Sequence, residues 1–92
     1  TSLQGRKLAE MLQETLNQRL EIVRPRVCKA NETYYILRKT KIPTVIVECG
    51  FLSNTEEAEK LMNENYQEKT ARAVCDGIQK FLQENLYCVT LL

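Results

Sequence analysis

Hydrophobic residues recur at helical spacing near both ends of the chain. The first set predicts an amphipathic helix over roughly residues 4–21, and the second a longer one from about residue 66 to residue 85. The first stripe consists of Leu8, Met11, Leu12, Leu16 and Leu20. The second consists of Tyr66, Thr70, Ala71, Val74, Cys75, Ile78, Phe81 and Leu82. We interpret both stripes as faces packed against a core rather than as surfaces for a partner.

Two runs of β-branched and aromatic residues in the middle of the chain predict strands. One is Tyr-Tyr-Ile-Leu at residues 34–37, and the other is Thr-Val-Ile-Val at residues 44–47, bounded by Pro43 and Gly50. A short apolar run of the second kind is typical of a buried strand in a parallel sheet. The apolar tail at residues 86–92 could add another strand or pack on the sheet.

A turn and a helix start follow the second run. Gly50 permits backbone conformations that other residues avoid. Both Ser53 with Glu56 and Asn54 with Glu57 have the spacing of a capping box, and the sequence leaves the choice between them open. A short helix is therefore expected next.

The order of elements is helix, strand, strand, helix, helix, which predicts an α/β fold. Two strands do not make a self-sufficient sheet, because a buried parallel strand needs neighbours on both sides. Residues 1–92 therefore look like a single partial domain. The chain starts at Thr1 rather than at Met, and we expect upstream residues to be missing.

Composition and charge narrow the function classes. The chain is 43% hydrophobic and 27% charged, with a net charge of +1. That balance gives no electrostatic footprint for nucleic acid or an anionic membrane. No apolar run is long enough to span a bilayer, and no signal-peptide pattern opens the chain.

The sequence contains no histidine and four cysteines. Lack of histidine removes Ser-His-Asp and Cys-His catalysis and every zinc site built on histidine. The cysteines show no C-x-x-C pair, so we expect free thiols acting as small buried hydrophobes. They are Cys28, Cys49, Cys75 and Cys88.

Glu48 is the first candidate for chemistry. It directly follows the buried run at residues 44–47. A buried carboxylate without a partner is costly, and ligands of open α/β sheets bind beyond the carboxyl ends of the strands. Neighbouring Cys49 would alternate to the other face of the strand as core filler. Arg24, Arg26 and Lys29 form a small basic cluster that we interpret as solvated loop charges, with a substrate-contacting rim as the alternative.

Several stretches together resemble one protein family, the zinc-dependent N-acetylmuramoyl-L-alanine amidases of bacterial cell-wall turnover. The resemblance covers about residues 5–82, and its most specific part has the order P-x-x-x-V-E-x-G-F-x-S-N. Within the family, the chain looks similar to the spore-forming branch that includes the germination-specific cortex amidase. The stretches lie at residues 7–9, 34–38, 42–54, 57–58 and 66–67.

The resemblance implies the C-terminal half of a twisted, mostly parallel sheet flanked by helices. It also implies one zinc ion, held by two histidines and a glutamate from the preceding half of the domain. Glu48 would match the carboxylate that takes a proton from the metal-bound water and passes it to the leaving amine. The substrate would be peptidoglycan, cleaved between N-acetylmuramic acid and L-alanine, in the bacterial cell envelope or spore cortex after export.

The chain departs from the family pattern because it has no histidine. We therefore expect no metal ligand in this chain, little zinc binding and no hydrolysis by the chain alone. Only Glu48 is carried over as a catalytic residue. Arg38 follows the first predicted strand and could contact substrate in the same cleft, although a solvated or structural arginine is the preferred interpretation.

Three hypotheses follow. The first is that the chain is one half of an amidase whose other half lies on a missing segment or another chain. The second is a non-catalytic binding or regulatory fragment that pairs with a partner through an open sheet edge. The third is a domain-swapped or oligomeric fragment without a physiological role.

Overall fold

The computed structural model describes residues 3–22, 24–31 and 33–85, and these residues form four helices. Helix α1 spans Leu3–Arg19, α2 Tyr35–Lys39, α3 Thr55–Met62 and α4 Glu64–Asn85. Among the described residues, no helix is both long and apolar enough to cross a membrane. The apolar tail at residues 86–92, including Cys88, lies outside the described residues.

The core is the contact between α1 and α4. Its buried apolar residues come from these two helices, and Thr15 of α1 is buried among them. The Thr15 hydroxyl donates to the Met11 carbonyl at 2.8 Å, so this polar group is satisfied within its own helix. The buried apolar residues are Leu12, Leu16, Ala73 and Phe81.

Gly77 lets the two helices approach each other closely. A Cβ placed on Gly77 would lie 2.7 Å from Leu12 Cδ2 and 3.4 Å from Leu12 Cα. The first distance is shorter than carbon atoms tolerate, so Leu12 packs directly over the missing side chain. An ion pair between Arg19 Nη1 and Asp76 Oδ2 at 2.7 Å adds a second link between the helices.

The predicted end helices and the buried face of α1 are confirmed. The predicted face of α4 is only partly right, since Phe81 is buried and Tyr66, Thr70 and Val74 are half-buried. Ala71 and Cys75 are exposed, and Ile78 is 40% exposed, whereas Ala73 and Gly77 are buried. The reason is that close helix packing selects small residues at the contact, and hydrophobicity alone does not identify them. The contact face is therefore rotated from the predicted stripe.

The predicted α/β fold is wrong. The described residues contain no strand and no sheet, and their regular structure is entirely helical. Most of the first predicted strand, residues 34–37, lies in α2, and the second, residues 44–47, has no regular secondary structure. A strand is stabilised by hydrogen bonds to a neighbour, and these ranges supply none. The open sheet edge expected for a partner is accordingly not formed.

Helix α2 starts at a turn closed by Asn31. The Asn31 side-chain oxygen accepts the backbone N–H groups of Thr33 at 2.9 Å and Tyr34 at 3.0 Å. An asparagine that closes such a turn favours local structure over a strand. This local bonding explains why an aromatic and β-branched run becomes a single helical turn.

Asparagine side chains also start α3 and α4. Asn54 Oδ1 accepts the Glu57 N–H at 3.0 Å, so Asn54 with Glu57 is the cap among the two that the sequence allowed. At the junction of the helices, the Asn63 N–H donates to the Lys60 carbonyl at 3.1 Å. The Asn63 side chain in turn accepts the Tyr66 N–H at 3.0 Å. One residue thus ends α3 and begins α4.

We predict that Gly77→Val lowers the free energy of unfolding by about 1–3 kcal/mol, because the added atoms overlap Leu12. Urea unfolding followed by circular dichroism measures the change. The matched control is Ala71→Val, which places the same side chain on the exposed side of α4. Equal stability of the two variants would contradict the close helix contact.

Candidate functional site

Glu48 lies on a segment without regular secondary structure, residues 43–51, that leads into the turn before α3. Its side chain is exposed, and the apolar residues before it are only partly covered, with Ile46 at 45% and Val47 at 37% exposure. The expectation of a carboxylate at the end of a buried strand is therefore wrong. Water reaches Glu48 directly in this structure.

The backbone of the segment is held mainly from its C-terminal end. In the part of the chain that the structure describes, residues 43–50 make no backbone–backbone hydrogen bond. The next such bond along the chain runs from the Asn54 N–H to the Phe51 carbonyl at 3.1 Å. The backbone hydrogen bond nearest to Glu48 on its C-terminal side therefore lies in the turn that begins at Phe51.

Gly50 joins the segment to the turn. Its φ is +158°, a backbone conformation that residues with a Cβ rarely adopt. A Cβ there would meet Leu61 Cδ1 at 3.4 Å and Glu57 Cβ at 3.5 Å, so Gly50 lies against α3. The backbone conformation, more than lack of space, favours glycine two residues after Glu48, which agrees with the role predicted for Gly50.

Glu57 connects the turn to α3. Its Oε2 accepts the Phe51 N–H at 3.4 Å, while its own N–H donates to Asn54 Oδ1 at 3.0 Å. In a standard capping box, the glutamate side chain reaches back to the N-cap amide. Here it reaches three residues further back, to Phe51, and so fixes the turn as well as the helix start.

Arg26 completes a cluster with Glu57 and Phe51. Its Nη2 lies 3.6 Å from Glu57 Oε1, and its guanidinium carbon lies 5.7 Å from the centre of the Phe51 ring. Both distances are typical of a charge pair and of a cation–π contact, respectively. We call these three residues the Arg26–Glu57–Phe51 cluster.

The cluster is tied to α1 through Asn17. Asn17 Nδ2 donates to the Arg26 carbonyl at 2.8 Å, and Asn17 Oδ1 accepts the Arg26 N–H at 3.4 Å. Gln13 Nε2 donates to the same oxygen at 3.1 Å. The Arg26 side chain is 63% exposed, which agrees with the interpretation of a solvated loop charge, but it also contacts Glu57 and Phe51. No periodicity or spacing signals these contacts, because their partners lie far apart in the sequence.

The other candidate residue, Arg38, does not contact Glu48 in the part of the chain that the structure describes. Arg38 is exposed on α2, and within the described ranges no hydrogen bond or ion pair links it to Glu48. Cys49 and Cys75 are exposed and Cys28 is half-buried, so the expectation of buried cysteines is wrong. These three thiols are free, as predicted.

The residues present do not fit a zinc site. Over the described ranges, no three His, Cys, Asp or Glu side chains come close enough to hold a metal ion. The whole sequence also lacks histidine. Three protein ligands are the usual minimum for catalytic zinc, so the described residues fall short of a catalytic metal centre.

Comparison with curated proteins gives several relatives. An uncharacterised protein of Bacillus subtilis, YqiI, is 34% identical over 80 residues, which cover 87% of this chain and 38% of the relative. The germination-specific N-acetylmuramoyl-L-alanine amidase of Bacillus subtilis is 32% identical, with 88% of this chain and 34% of the relative covered. The amidase AmiC of Neisseria meningitidis is 29% identical, with 89% and 19% covered.

The chain thus spans well under half the length of these relatives. No solved structure matches it. The profile of the family described as N-acetylmuramoyl-L-alanine amidase matches residues 1–80, which include Glu48, the turn and all of α3. This match confirms the resemblance that the motif around Glu48 predicted. The chain therefore belongs to the N-acetylmuramoyl-L-alanine amidase family.

Proposed function

We propose that this chain is the part of a peptidoglycan amidase that carries the proton-transferring carboxylate, Glu48. Membership of the amidase family supports the reaction class. The observation that carries the role of Glu48 is its exposed position, three residues before a turn fixed by the Arg26–Glu57–Phe51 cluster. The names of the relatives support a place in the cell envelope or the spore.

The proposed reaction cleaves the amide between N-acetylmuramic acid and L-alanine. Water attacks the amide carbonyl, and Glu48 accepts the proton that the water loses. The carbon–nitrogen bond then breaks as Glu48 returns that proton to the departing amine of L-alanine. The products are a peptide with a free amino terminus and a carboxylic acid on the muramic acid, which then loses its proton to solvent. Glu48 ends the cycle unchanged.

Zinc belongs to this proposal only as a cofactor of the complete domain. When bound, zinc polarises the carbonyl and lowers the pKa of the attacking water. This chain lacks histidine, and its described residues form no ligand set. The ligands would therefore come from a polypeptide outside this chain, and the chain alone would be inactive.

A second candidate function is a non-catalytic binding fragment. Exposed hydrophobic side chains around the Glu48 segment favour it, with Tyr35 at 73%, Ile42 at 69% and Leu52 at 79% exposure. Large exposed apolar residues grouped along one stretch are typical of a protein contact surface. The occupant would be either the rest of an amidase domain or an unrelated chain.

We predict that Glu48→Gln lowers amidase activity by about 100-fold or more, because the glutamine side chain cannot accept a proton from water. The chain is mixed with zinc and with the portion of the germination-specific relative that it does not cover. Release of L-alanine-linked peptides from peptidoglycan is then measured. Glu59→Gln, an exposed neighbour on α3, is the matched control.

Full activity of the Glu48→Gln mixture would exclude Glu48 as the proton carrier. Tight association of the two polypeptides without any peptide release, in wild type and variant alike, would favour the binding fragment instead. A mixture that neither associates nor cleaves would contradict both functions.

We also predict that the chain alone binds zinc weakly, because it offers too few ligands in one place. Isothermal titration with zinc chloride under reducing conditions measures the affinity. A dissociation constant below about 1 µM, equivalent to roughly −8 kcal/mol, would show that a ligand set forms within this chain. Cobalt spectra would then identify thiolate ligands.

A further inference from the structure

One backbone hydrogen bond, from the Asn54 N–H to the Phe51 carbonyl, closes the turn that follows Glu48, and side-chain contacts hold it from outside. In the described ranges, residues 43–50 make no backbone–backbone hydrogen bonds. Pairing with a neighbouring strand therefore does not orient the Glu48 side chain. The nearest fixed point is Phe51, whose N–H donates to Glu57 Oε2 at 3.4 Å. Only Cys49 and Gly50 separate this point from Glu48.

We propose that Arg26 and Glu57 are positioning residues that set the direction of Glu48 by fixing Phe51. The proposal rests on the proposed function of Glu48 as the proton carrier. Glu57 acts on the Phe51 backbone, and Arg26 acts on both Glu57 and the Phe51 ring. Neither residue needs to touch the substrate.

Both carboxylate oxygens of Glu57 have a partner, which restrains its side chain. One oxygen faces the Phe51 N–H and the other faces Arg26. The Glu57 side chain is 28% exposed, whereas that of Arg26 is 63% exposed. A half-buried carboxylate that accepts from two donors has few side-chain conformations available. It is therefore suited to hold a turn in one position.

The energy of this ion pair is small, but its geometry is specific. An exposed Arg–Glu pair adds little to stability, because water screens both charges. The backbone of Arg26 is anchored to α1 by Asn17, so its guanidinium starts from a fixed position. Arg26 therefore links the position of Phe51 to the position of α1.

A purely structural role in capping α3 is separable from this positioning role. The cap is made by the backbone N–H of Glu57 and the side chain of Asn54. Glu57→Ala keeps that backbone N–H and removes only the carboxylate. The helix start should therefore persist while Phe51 loses its acceptor.

The experiment compares Glu57→Ala, Arg26→Gln and Arg26→Lys in the full chain, with Glu59→Ala and Arg24→Gln as matched controls. Both control residues are exposed charges close to the cluster in sequence. Amide hydrogen exchange by NMR measures protection of Phe51 and the order of residues 48–52. Peptide release with the complementing amidase fragment supplies kcat and KM.

For Glu57→Ala, we expect Phe51 exchange to accelerate by about tenfold or more, with α1 and α4 amides unchanged. We expect kcat to fall while KM stays the same, because direction of the carboxylate rather than substrate affinity is altered. Arg26→Gln should show a smaller effect, and Arg26→Lys should restore part of it by retaining the charge. The controls should match wild type.

Unchanged Phe51 exchange and unchanged order of Glu48 in Glu57→Ala would overturn the proposal. So would a fall in kcat equally large in the two controls. If wild type shows no peptide release that depends on Glu48, the proposed function fails. The exchange data would still decide whether the cluster fixes the turn.

Discussion

The structure depends on the close contact between Leu12 of α1 and Gly77 of α4. A side chain at Gly77 would overlap Leu12, so the two helices meet where one of them has no side chain at all. The buried residues Leu16, Ala73 and Phe81 pack around this contact. Helix α3 is attached to this pair through the Asn63 junction, and the loop at Arg26 is attached through Asn17. The core is small, and many large apolar side chains remain outside it.

Local patterns predicted α1, α3 and α4 but not the short α2, because the information for a longer helix lies within one stretch of chain. Leucine spacing predicted α1, and asparagine and glutamate at cap spacing predicted the start of α3. The face of α4 was predicted only in part: Phe81 is buried as expected, but contact with α1 also depends on the small size of Ala73 and Gly77. The strands were predicted wrongly for a different reason. A strand needs a hydrogen-bonded neighbour. The composition of residues 44–47 indicates a high strand propensity but does not show that a neighbour is present.

Part of the candidate site was also predictable from the sequence, and part was not. The order of residues around Glu48 was sufficient to predict the family, since acid, glycine turn and cap are consecutive in the sequence. Exposure of Glu48 was not predictable, because it depends on which segments cover the strand-like run. The Arg26–Glu57–Phe51 cluster was also missed, although the sequence had suggested both a capping role for Glu57 and a basic cluster at Arg26. Nothing in their spacing indicated that the two meet.

The packing of α1 on α4 has a consequence for chain entropy. These helices are the first and last described elements, so their contact closes everything between them into one long loop. The entropy lost on closing a flexible loop grows only with the logarithm of its length, about 0.6 kcal/mol for each doubling. Insertions or rearrangements between residues 20 and 54 would therefore alter the closure term little. The contact between α1 and α4 therefore constrains the length of the region that carries Glu48 only weakly.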